Sequence, residues 1–456
     1  MVLNESVALV TSSTLEGSPK ENGNIRKRRK TRPNEDLKEP KSKGKRRRKT
    51  SDARHTVGEW ALNSVESSHP KGNENLGNTC FFNSALQALY FTKSFMETLL
   101  CLERPSAYFD SMELTKKVLE LLKKQRIQHG SHTSELRGVL NAVTRINNQF
   151  GHGTQEDSYE LLNTLLGGIF DELKSYDEKR QLHATDADTD EKSIDARKLF
   201  AGLFVTIYVY DSCDDVEVVL EEFTSLSIPV VEELEPESHK LYHRGLQTLS
   251  LDKPELDIEK GLAVLTQTED FEESDLPCRK CNTRGSRKAY RRLLIFQPPP
   301  VLVIHIDRFK MNNVNNLEKN TKCVKYPRML NIAKFCSSAN TEISANELVY
   351  ELYAVIVHTG AIYHGHYFAY VNTTRRHDAV RWQKYLRRTM GNLEKLQCEI
   401  ETFLEEKRDK RTNTQCDELL EVKDTWFFIS DQTVRSVDRA KVLGLEDAYI
   451  LFYEEQ

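Results

Sequence analysis

Helix-forming patterns fill the first part of the apolar sequence, and strand-forming patterns fill the part that follows. Residues 80–182 predict helices, most clearly in 156–174, where leucines recur at the spacing of one helix face. From Leu199 onward, runs such as Phe204–Tyr210 and Val301–Ile306 are rich in the β-branched and aromatic residues typical of strands. Because the two patterns are separated along the chain, they predict an α+β domain.

The first 72 residues differ in composition from the rest and predict a disordered, basic N-terminal tail. They are rich in Lys, Arg, Ser, Asn and Glu and show no apolar periodicity. Two basic clusters, Arg26–Lys30 and Lys45–Lys49, have the spacing of a bipartite nuclear localisation signal, which importin would bind. The alternative is a solvated tail that touches nucleic acid non-specifically. Both interpretations predict a nuclear protein.

The chain of 456 residues contains nine cysteines, an odd number at uneven spacing. Its N-terminus lacks the basic and apolar segments of a secretory signal. No apolar run approaches the roughly 18–20 residues that a membrane helix needs. We therefore expect reduced thiols in an intracellular protein that has no membrane partner. A thiol nucleophile suits that setting, and a disulfide framework is not expected.

Residues 375–424 interrupt the strand pattern and predict a charged helical insertion between two strands. With the exception of Gln397, its heptad-like positions are apolar: Leu386, Met390, Leu393, Ile400 and Leu404. Three heptads are too few to establish a coiled coil. A surface helix that covers its own domain is the simpler interpretation.

Cys80 follows a turn sequence and begins a helical run, which is the setting of a reactive thiol. The segment Asn75–Ser84 reads Asn-Leu-Gly-Asn-Thr-Cys-Phe-Phe-Asn-Ser. At a helix N-terminus, the dipole and the free N–H groups favour a thiolate over a thiol. Asn75, upstream in the turn, could fold back and donate to a developing oxyanion. Most lone cysteines are small buried hydrophobes, and the turn before the helix is what distinguishes Cys80.

A second group of residues surrounds His366, at the start of an apolar strand. The segment Gly360–Tyr370 brings histidines and glycines together. Gly365, directly before His366, would let a substrate backbone pass close to the imidazole. A histidine near a strand end is more often structural than catalytic, so His366 needs a partner to count as a base. The alternative candidates are His364, His358 and His305.

The segment Trp426–Val434 predicts a strand that ends in polar residues able to orient an imidazole. In a Cys-His pair, a third group accepts the Nδ1–H bond and fixes the tautomer. Ser430 could accept that bond without bringing charge, whereas Asp431 would bring charge. Neighbouring strand residues point to opposite faces, so both cannot face the ring unless the strand twists or bulges. We favour Ser430 as the orienting residue, with Asp431 behind it near the oxyanion site; the alternative makes Asp431 the third member.

These segments resemble, in order, the sequence boxes of the ubiquitin-specific proteases. The matching stretches are Asn75–Ser84, Gln155–Leu162, Tyr353–Gly360 with Gly365–Tyr367, and Trp426–Val434 with Leu451–Tyr453. The strand Pro300–Phe309 is similar to the family pattern PxVLxxHLxRF. One box alone would be weak, but four in the right order over residues 73–456 are specific.

The resemblance implies a papain-like cysteine protease, with a helical thumb in residues 73–195 and a β-sheet palm and β fingers in 196–456. It implies hydrolysis of the isopeptide bond after the C-terminal glycine of ubiquitin, on proteins or polyubiquitin, with no required cofactor. By position, Cys80 matches the nucleophile, His366 the base and Asn75 the oxyanion donor. The residues implied to bind ubiquitin are Gln155, Asp157, Gly360, Gly365 and Tyr367.

The third catalytic position departs from the family pattern. Members usually carry Asp or Asn there, whereas this chain has Ser430 followed by Asp431. The surrounding residues Ile429–Asp431 and Ala448–Tyr453 are similar to the subgroup that contains ubiquitin carboxyl-terminal hydrolases 16, 45 and 30, in which serine occupies the slot.

The zinc site of the family's fingers is incomplete in this sequence. Many members hold zinc with two C-x-x-C pairs, and Cys278 with Cys281 resembles the second pair. Only Cys213 stands near the place of the first pair. Because a structural zinc site normally closes with four ligands, we do not expect structural zinc. The alternative is a site that a nearby His completes with the three cysteines.

Two further interpretations compete with an active enzyme. One is a catalytically weak, ubiquitin-binding pseudoenzyme on the same fold, which the presence of both Cys80 and His366 disfavours. The other is a nucleic-acid-binding protein, which nothing beyond the basic tail supports. The tail and the subgroup likeness suggest a chromatin substrate such as a monoubiquitinated histone, by analogy.

Overall fold

The structure, a computed structural model, covers the chain in several stretches within the compact unit His55–Gln456. It describes residues 69–101, 111–126, 131–183, 195–210, 216–230, 256–272, 288–311, 317–339, 348–361, 364–374 and 424–456. The predicted tail, 1–72, lies outside these residues up to residue 68, and the predicted insertion, 375–424, lies outside them up to residue 423. So do the three candidate zinc ligands, Cys213, Cys278 and Cys281.

The folded domain begins before residue 73, where the composition predicts its start. The His69 ring packs edge-on against Phe427, with ring centroids 4.9 Å apart. Gly72 lies so close to the turn at Asp431 that a Cβ on Gly72 would be 2.3 Å from the Asp431 carbonyl oxygen. These residues are polar or small and have no apolar periodicity, so the sequence pattern does not reveal that they pack on the domain.

The predicted helical region forms the thumb. Its α-helices are α1 (Cys80–Tyr90), α2 (Lys93–Cys101), α3 (Glu113–Arg126), α4 (Thr133–Ile146) and α5 (Ser158–His183). Short 3-10 helices follow α4 and α5 at Asn148–Gly151 and Ala196–Leu199. Helix α1 is buried along its whole length from Cys80 to Leu89. A helix that is buried on every side belongs to the middle of a core rather than to its surface.

Strands dominate after the thumb, as the β-branched runs predict. They are β1 (Gly202–Tyr210), β2 (Val216–Phe223), β3 (Leu226–Pro229), β4 (Thr268–Glu272), β5 (Lys288–Gln297), β6 (Val301–Asp307), β7 (Phe309–Met311), β8 (Leu317–Lys319), β9 (Met329–Asn331), β10 (Val349–Ala361), β11 (His364–Asn372), β12 (Trp426–Ser430), β13 (Thr433–Val437) and β14 (Ala448–Glu455). The helices between them are α6 (Ile258–Leu265), the 3-10 helix Ala333–Phe335, and α7 (Arg439–Leu443).

Two sheets of the described chain form the palm and the fingers. The palm has the order β13-β12-β11-β10-β14-β6-β3, with β9 pairing β10. Its pairs are antiparallel except β3 with β6. The fingers have the order β2-β1-β5-β4, and β7 pairs β8 in a small separate ribbon. The predicted α+β class, with a helical thumb, a β palm and β fingers, is confirmed.

Helix α1 joins the thumb to the palm. It packs against α5 on one side and against β10, β11 and β12 on the other. One core cluster contains the apolar residues of α1, the thumb leucines and one face of the palm. A second cluster covers the other face. Since both faces are covered, β10 is buried continuously from Tyr350 to His358 instead of alternating. This packing brings the first turn of α1, with Cys80, to the start of β11, with His366.

Candidate active site

The turn before α1 positions Cys80 through two residues with positive φ and through side-chain hydrogen bonds within the turn. Gly77 and Asn78 both have positive φ, at 112° and 53°. Thr79 Oγ1 accepts from the Leu76 N–H at 2.9 Å, which closes the turn. No side chain caps the first turn of α1. The N–H groups of that turn are therefore not taken up by a side-chain cap and can bind an anion that forms beside the sulfur. Cys80 itself is only 3% exposed.

Asn75 is fixed from both ends of its side chain. Its Oδ1 accepts from the backbone N–H groups of Gly77 at 3.0 Å and Thr79 at 3.2 Å. Its Nδ2 donates to Asp431 Oδ2 at 3.0 Å. The amide has two N–H groups on Nδ2, and the bond to Asp431 requires one of them. Asn75 is thus held as an oriented donor in the turn that precedes Cys80.

His366 lies on β11, and its ring contacts Ser430 at the end of β12. The two strands are neighbours in the palm, and His366 Nε2 is 2.8 Å from Ser430 Oγ. The predicted contact used Nδ1, and that part of the prediction is wrong, because the neighbouring strand approaches the ring from the Nε2 side. With Nε2 engaged by Ser430, Nδ1 is the nitrogen left for Cys80.

The Asp431 carboxylate points to Asn75, in the turn before α1, and not to the imidazole of His366. It adopts a positive φ of 48°, so the strand ends at Ser430 and the next side chain turns away. Its Oδ1 accepts from Asn83 Nδ2 at 2.7 Å and its Oδ2 accepts from Asn75. Its carbonyl oxygen accepts from the Asn73 N–H at 2.9 Å. Of the two arrangements left open by the sequence, the described contacts place Ser430 on the ring and Asp431 behind Asn75.

A buried polar network extends from Asp431 into the thumb, and sequence reasoning did not find it. Asn73 is fully buried, and its Oδ1 lies 2.7 Å from Gln125 Nε2 on α3 and 2.9 Å from His132 Nε2 before α4. Burial lowers the pKa of His132. Asn73 stands at the predicted boundary of the tail, where polar composition gave no signal of burial.

Gln155 spans the cleft between thumb and palm. Its Oε1 accepts from the Gly365 N–H at 2.9 Å, and its Nε2 donates to the Gly365 carbonyl. The same Nε2 is 3.5 Å from Cys80 Sγ. Gln155 therefore contacts both the nucleophile and the residue next to the base, and the resemblance had implied only a contact with ubiquitin.

Asp157 serves as the N-terminal cap of α5. Its Oδ1 accepts from the Tyr159 N–H at 2.7 Å and from the Glu160 N–H at 3.0 Å. Its Oδ2 accepts from the Tyr449 hydroxyl. The carboxylate thus fastens α5 to β14 beneath the cleft. The implied contact of Asp157 with ubiquitin stays a prediction.

Gly365 and Gly360 allow close packing at the end of the β10–β11 hairpin, beside the cleft. A Cβ on Gly365 would lie 1.9 Å from His358 Nε2, so any side chain there must displace that ring. Gly360 has a φ of 87°, and Lys319 Nζ donates to its carbonyl at 3.1 Å and to the His358 carbonyl at 2.7 Å. These glycines are required by close packing at the end of the β10–β11 hairpin.

The floor of the cleft is aromatic and buried. Tyr367 is 3% exposed and stacks on His358 with ring centroids 4.3 Å apart. Burial raises the pKa of Tyr367, with the nearby Asp157 carboxylate adding to the shift. In this structure the Tyr367 side chain is buried and packs against His358. Its implied contact with ubiquitin stays a prediction.

The alternative histidines lie in settings that suit structural roles. His305 stacks on Tyr159 with ring centroids 3.9 Å apart, and burial lowers its pKa to about 3. Burial, with Lys319 nearby, lowers the pKa of His358 to about 4. Both rings stay neutral at physiological pH. His364 is exposed on β11. Among these histidines, His366 is the one with the Ser430 contact.

No group of three or more His, Cys, Asp or Glu side chains in the described ranges is arranged to hold a metal ion. Within the same stretches, no helix combines the length and the apolar character needed to span a membrane.

The chain belongs to the ubiquitin carboxyl-terminal hydrolase family, whose model matches residues 71–453. It is similar to ubiquitin carboxyl-terminal hydrolase 2 of Bos taurus, with 27% identity over 72% of this chain and 53% of the relative. It is also similar to ubiquitin carboxyl-terminal hydrolase 16 of Rattus norvegicus, with 32% identity over 38% of this chain and 19% of the relative. The chain thus spans about half the length of the first of these curated relatives and less of the second.

Solved structures show the same fold. The SAGA DUB module with Ubp8, Sgf11, Sus1 and Sgf73 bound to monoubiquitin has a chain that matches with a TM-score of 0.56 and 18% identity. The match covers 85% of this chain and 69% of that one. The same module from yeast with an Sgf73 variant matches with a TM-score of 0.56, again at 18% identity, over 86% and 70% of the two chains.

Proposed function

We propose that the protein is a thiol protease that hydrolyses the isopeptide bond after the C-terminal glycine of ubiquitin. The observation that carries this proposal is the convergence of three fixed groups around Cys80. His366 is oriented by Ser430 at 2.8 Å. Asn75 is held by Asp431 at 3.0 Å. The first turn of α1, which has no side-chain cap, begins at Cys80. Family membership and the ubiquitin bound to a neighbour of the same fold support ubiquitin as the partner.

In the proposed reaction, His366 Nδ1 takes the proton from Cys80 and the thiolate attacks the glycine carbonyl carbon. The carbonyl oxygen becomes an oxyanion, which accepts from Asn75 Nδ2 and from N–H groups at the start of α1. The tetrahedral intermediate collapses as His366 donates its proton to the leaving lysine amine. A thioester between ubiquitin and Cys80 remains. Water, deprotonated by His366, then hydrolyses the thioester and releases the ubiquitin carboxylate.

Ser430 fits this mechanism despite its lack of charge. A thiolate beside an imidazolium is already balanced in charge, so the third residue needs to orient the ring more than to stabilise it. The Nε2–H of His366 donates to Ser430 Oγ and keeps Nδ1 directed at the sulfur. Where the family usually carries Asp or Asn, this chain has Ser430 on the ring. The neighbouring Asp431 carboxylate orients the oxyanion donor Asn75 instead.

The localisation and the substrate are proposed from the sequence. The basic clusters Arg26–Lys30 and Lys45–Lys49 would bind importin and bring the protein to the nucleus. The SAGA module of the structural neighbours supports the nuclear location indirectly. A chromatin substrate such as a monoubiquitinated histone then follows by analogy alone. We expect the reaction to need no cofactor, and the incomplete zinc site at Cys213, Cys278 and Cys281 stays a prediction.

Labelling with ubiquitin that carries a C-terminal electrophile tests the proposal, because the probe requires both ubiquitin recognition and a reactive thiolate. We expect one covalent adduct, on Cys80, that disappears in Cys80→Ala. Cys323→Ala is the matched control, since Cys323 is exposed and should not react with a directed probe. Binding of ubiquitin without an adduct would indicate the pseudoenzyme instead. Absence of both binding and adduct would contradict the proposed function.

A further inference from the structure

The side-chain amide of Gln155 makes the contacts with Gly365 that a peptide backbone would make. Its Oε1 accepts from the Gly365 N–H at 2.9 Å, and its Nε2 donates to the Gly365 carbonyl. An exchange of both N–H···O bonds with a single residue is the pattern of a bonded pair in an antiparallel ladder. A side-chain amide carries the same donor and acceptor as a peptide group, so it can replace one.

The strand edge at Gly365 is otherwise open in the described palm. On one side, β11 pairs with β10, where Gly365 stands opposite Gly360. On the other side, β12 pairs with β11 only over Ala369–Asn372. The edge beside Gly365 therefore has no neighbouring strand, and Gln155 occupies it.

The position of this amide coincides with the path that a substrate must take. Gln155 Nε2 is 3.5 Å from Cys80 Sγ, and Gly365 directly precedes His366. A scissile bond between nucleophile and base has to enter the space where the Gln155 amide now lies. Cys80 is 3% exposed in this state, so the sulfur is covered. An extended Gly-Gly segment of ubiquitin would offer Gly365 an N–H and a C=O group, which are the same kinds of group that the Gln155 amide offers it in this structure.

We propose that Gln155 is a gate residue whose amide substitutes for the substrate backbone at Gly365 until ubiquitin displaces it. The two C-terminal glycines of ubiquitin then bind only after the Gln155 amide has swung away. This inference rests on the proposed function, since it names what enters the cleft. The resemblance implies that Gln155 binds ubiquitin, whereas a gate residue competes with the ubiquitin tail for Gly365.

Affinity for two forms of ubiquitin tests the gate. The full chain carrying Cys80→Ala is compared with the same chain carrying Cys80→Ala and Gln155→Ala, by calorimetry with complete ubiquitin and with ubiquitin lacking its last two glycines. We expect Gln155→Ala to tighten the binding of complete ubiquitin by roughly threefold to tenfold, a change of the order of the net worth of one hydrogen bond, because the two bonds between Gln155 and Gly365 no longer have to be broken. Binding of the truncated form should not change, because it does not reach Gly365.

A second readout keeps Cys80 in place. Alkylation of Cys80 by iodoacetamide, followed by mass spectrometry of its peptide, should be several-fold faster in Gln155→Ala. Gln149→Ala, in the segment that leads to Gln155, is the control and should match the wild type in both assays. Thermal unfolding of each variant checks the fold.

The outcomes separate the gate from the proposed function. Weaker binding of complete ubiquitin to the Gln155→Ala variant, or no change in its affinity, would overturn the gate while leaving the protease proposal intact. Equal changes for both forms of ubiquitin would also overturn it, because a gate acts only on the two glycines. Absence of ubiquitin binding by every variant would overturn the proposed function and the gate together.

Discussion

The carboxylate of Asp431 binds the side-chain amide of Asn75 at 3.0 Å, and not the imidazole of His366. The same carboxylate accepts from Asn83 at 2.7 Å, so it ties the hairpin turn after β12 to both ends of the nucleophile segment. The acid next to the third catalytic position thus orients the oxyanion donor, while Ser430 orients the base.

Asp431→Asn is expected to lower kcat by roughly 10- to 100-fold with little change in KM. The loss should be no larger than that of removing one oxyanion donor, because Asn75 remains and only its bond to a charged carboxylate is lost. Hydrolysis of a fluorogenic ubiquitin amide measures both constants. The Asn75→Ala single and Asn75→Ala/Asp431→Asn double variants complete the cycle, and their losses should not add. Fully additive losses would show that Asp431 does not act through Asn75.

Ser430→Ala is expected to lower kcat/KM by about tenfold, or ~1.4 kcal/mol, because the ring loses orientation but no charge. Ser430→Asp should be tolerated or mildly activating, since a carboxylate would face the imidazolium. Both are measured on ubiquitin amide across pH. If Ser430→Ala has no effect while Asp431→Asn abolishes turnover, the acid at 431 is the third member and the assignment is reversed.

Gly365→Ala is expected to destabilise the domain by about 1–3 kcal/mol and to impair turnover, because the new methyl group would overlap His358 Nε2. His358 is buried and stacked on Tyr367, so it has little room to move. Gly167→Ala on α5 is the matched control. Apart from its chain neighbours and the backbone of its own helix, no atom lies within 4 Å of its added Cβ. This variant should be neutral or stabilising by up to ~1 kcal/mol. Urea unfolding compares the two, and equal effects would contradict the packing argument.

The buried His305 and His358 should make the domain lose stability as pH falls below 6.5. Burial lowers their pKa values to about 3 and about 4, from 6.5 in the unfolded chain. Below pH 6.5 the unfolded chain takes up protons that the folded chain does not, so unfolding becomes more favourable until the folded pKa values are reached. The loss down to about pH 5 is on the order of 2 kcal/mol for each ring.

The free energy of unfolding, measured in urea from pH 7 to pH 5, checks this slope. The double variant His305→Gln/His358→Gln removes both titrations, so its slope should be clearly smaller even if its absolute stability is lower. An unchanged slope would show that these rings do not titrate on unfolding.

Residues 375–423 are expected to be dispensable for the fold, because their two ends are joined in the palm. The Thr373 N–H donates to the Thr425 carbonyl at 3.0 Å, and the Thr425 N–H donates to Thr374 Oγ1 at 2.8 Å. An Asn-Gly turn should therefore close the β11–β12 hairpin in place of the segment. We expect ubiquitin amide turnover to stay within roughly twofold, since changes in loop length cost little. A soluble but inactive product would show that the segment contributes to the site.

The class of fold could be predicted from periodicity alone. The leucines of α5 and the β-branched run of β1 are long, regular patterns that tertiary contacts do not override. Cys80 could be identified because a Gly-Asn-Thr turn before a helix is a local signal. The start of the domain could not be placed to the residue, because Gly72 and Asn73 attach through backbone contacts and a buried polar network that leave no apolar pattern.

The finer geometry of the site depends on contacts between distant segments. Which nitrogen of His366 meets Ser430 is decided by the side from which β12 approaches β11, and no local pattern encodes that side. The direction of the Asp431 carboxylate depends on its positive φ, which only the folded hairpin turn reveals. The pairing of Gln155 with Gly365 joins two segments that lie 210 residues apart.

Turnover of ubiquitin amide by Cys80→Ala, His366→Ala and the double variant, all in the full chain, tests the assignment of the nucleophile and the base most directly. Since the thiol and the imidazole act as a unit, each single variant should fall to the same residual rate as the double variant. Ubiquitin binding by Cys80→Ala should persist. Turnover by Cys80→Ala within tenfold of the wild type would remove Cys80 from the mechanism and contradict the assignment of this site.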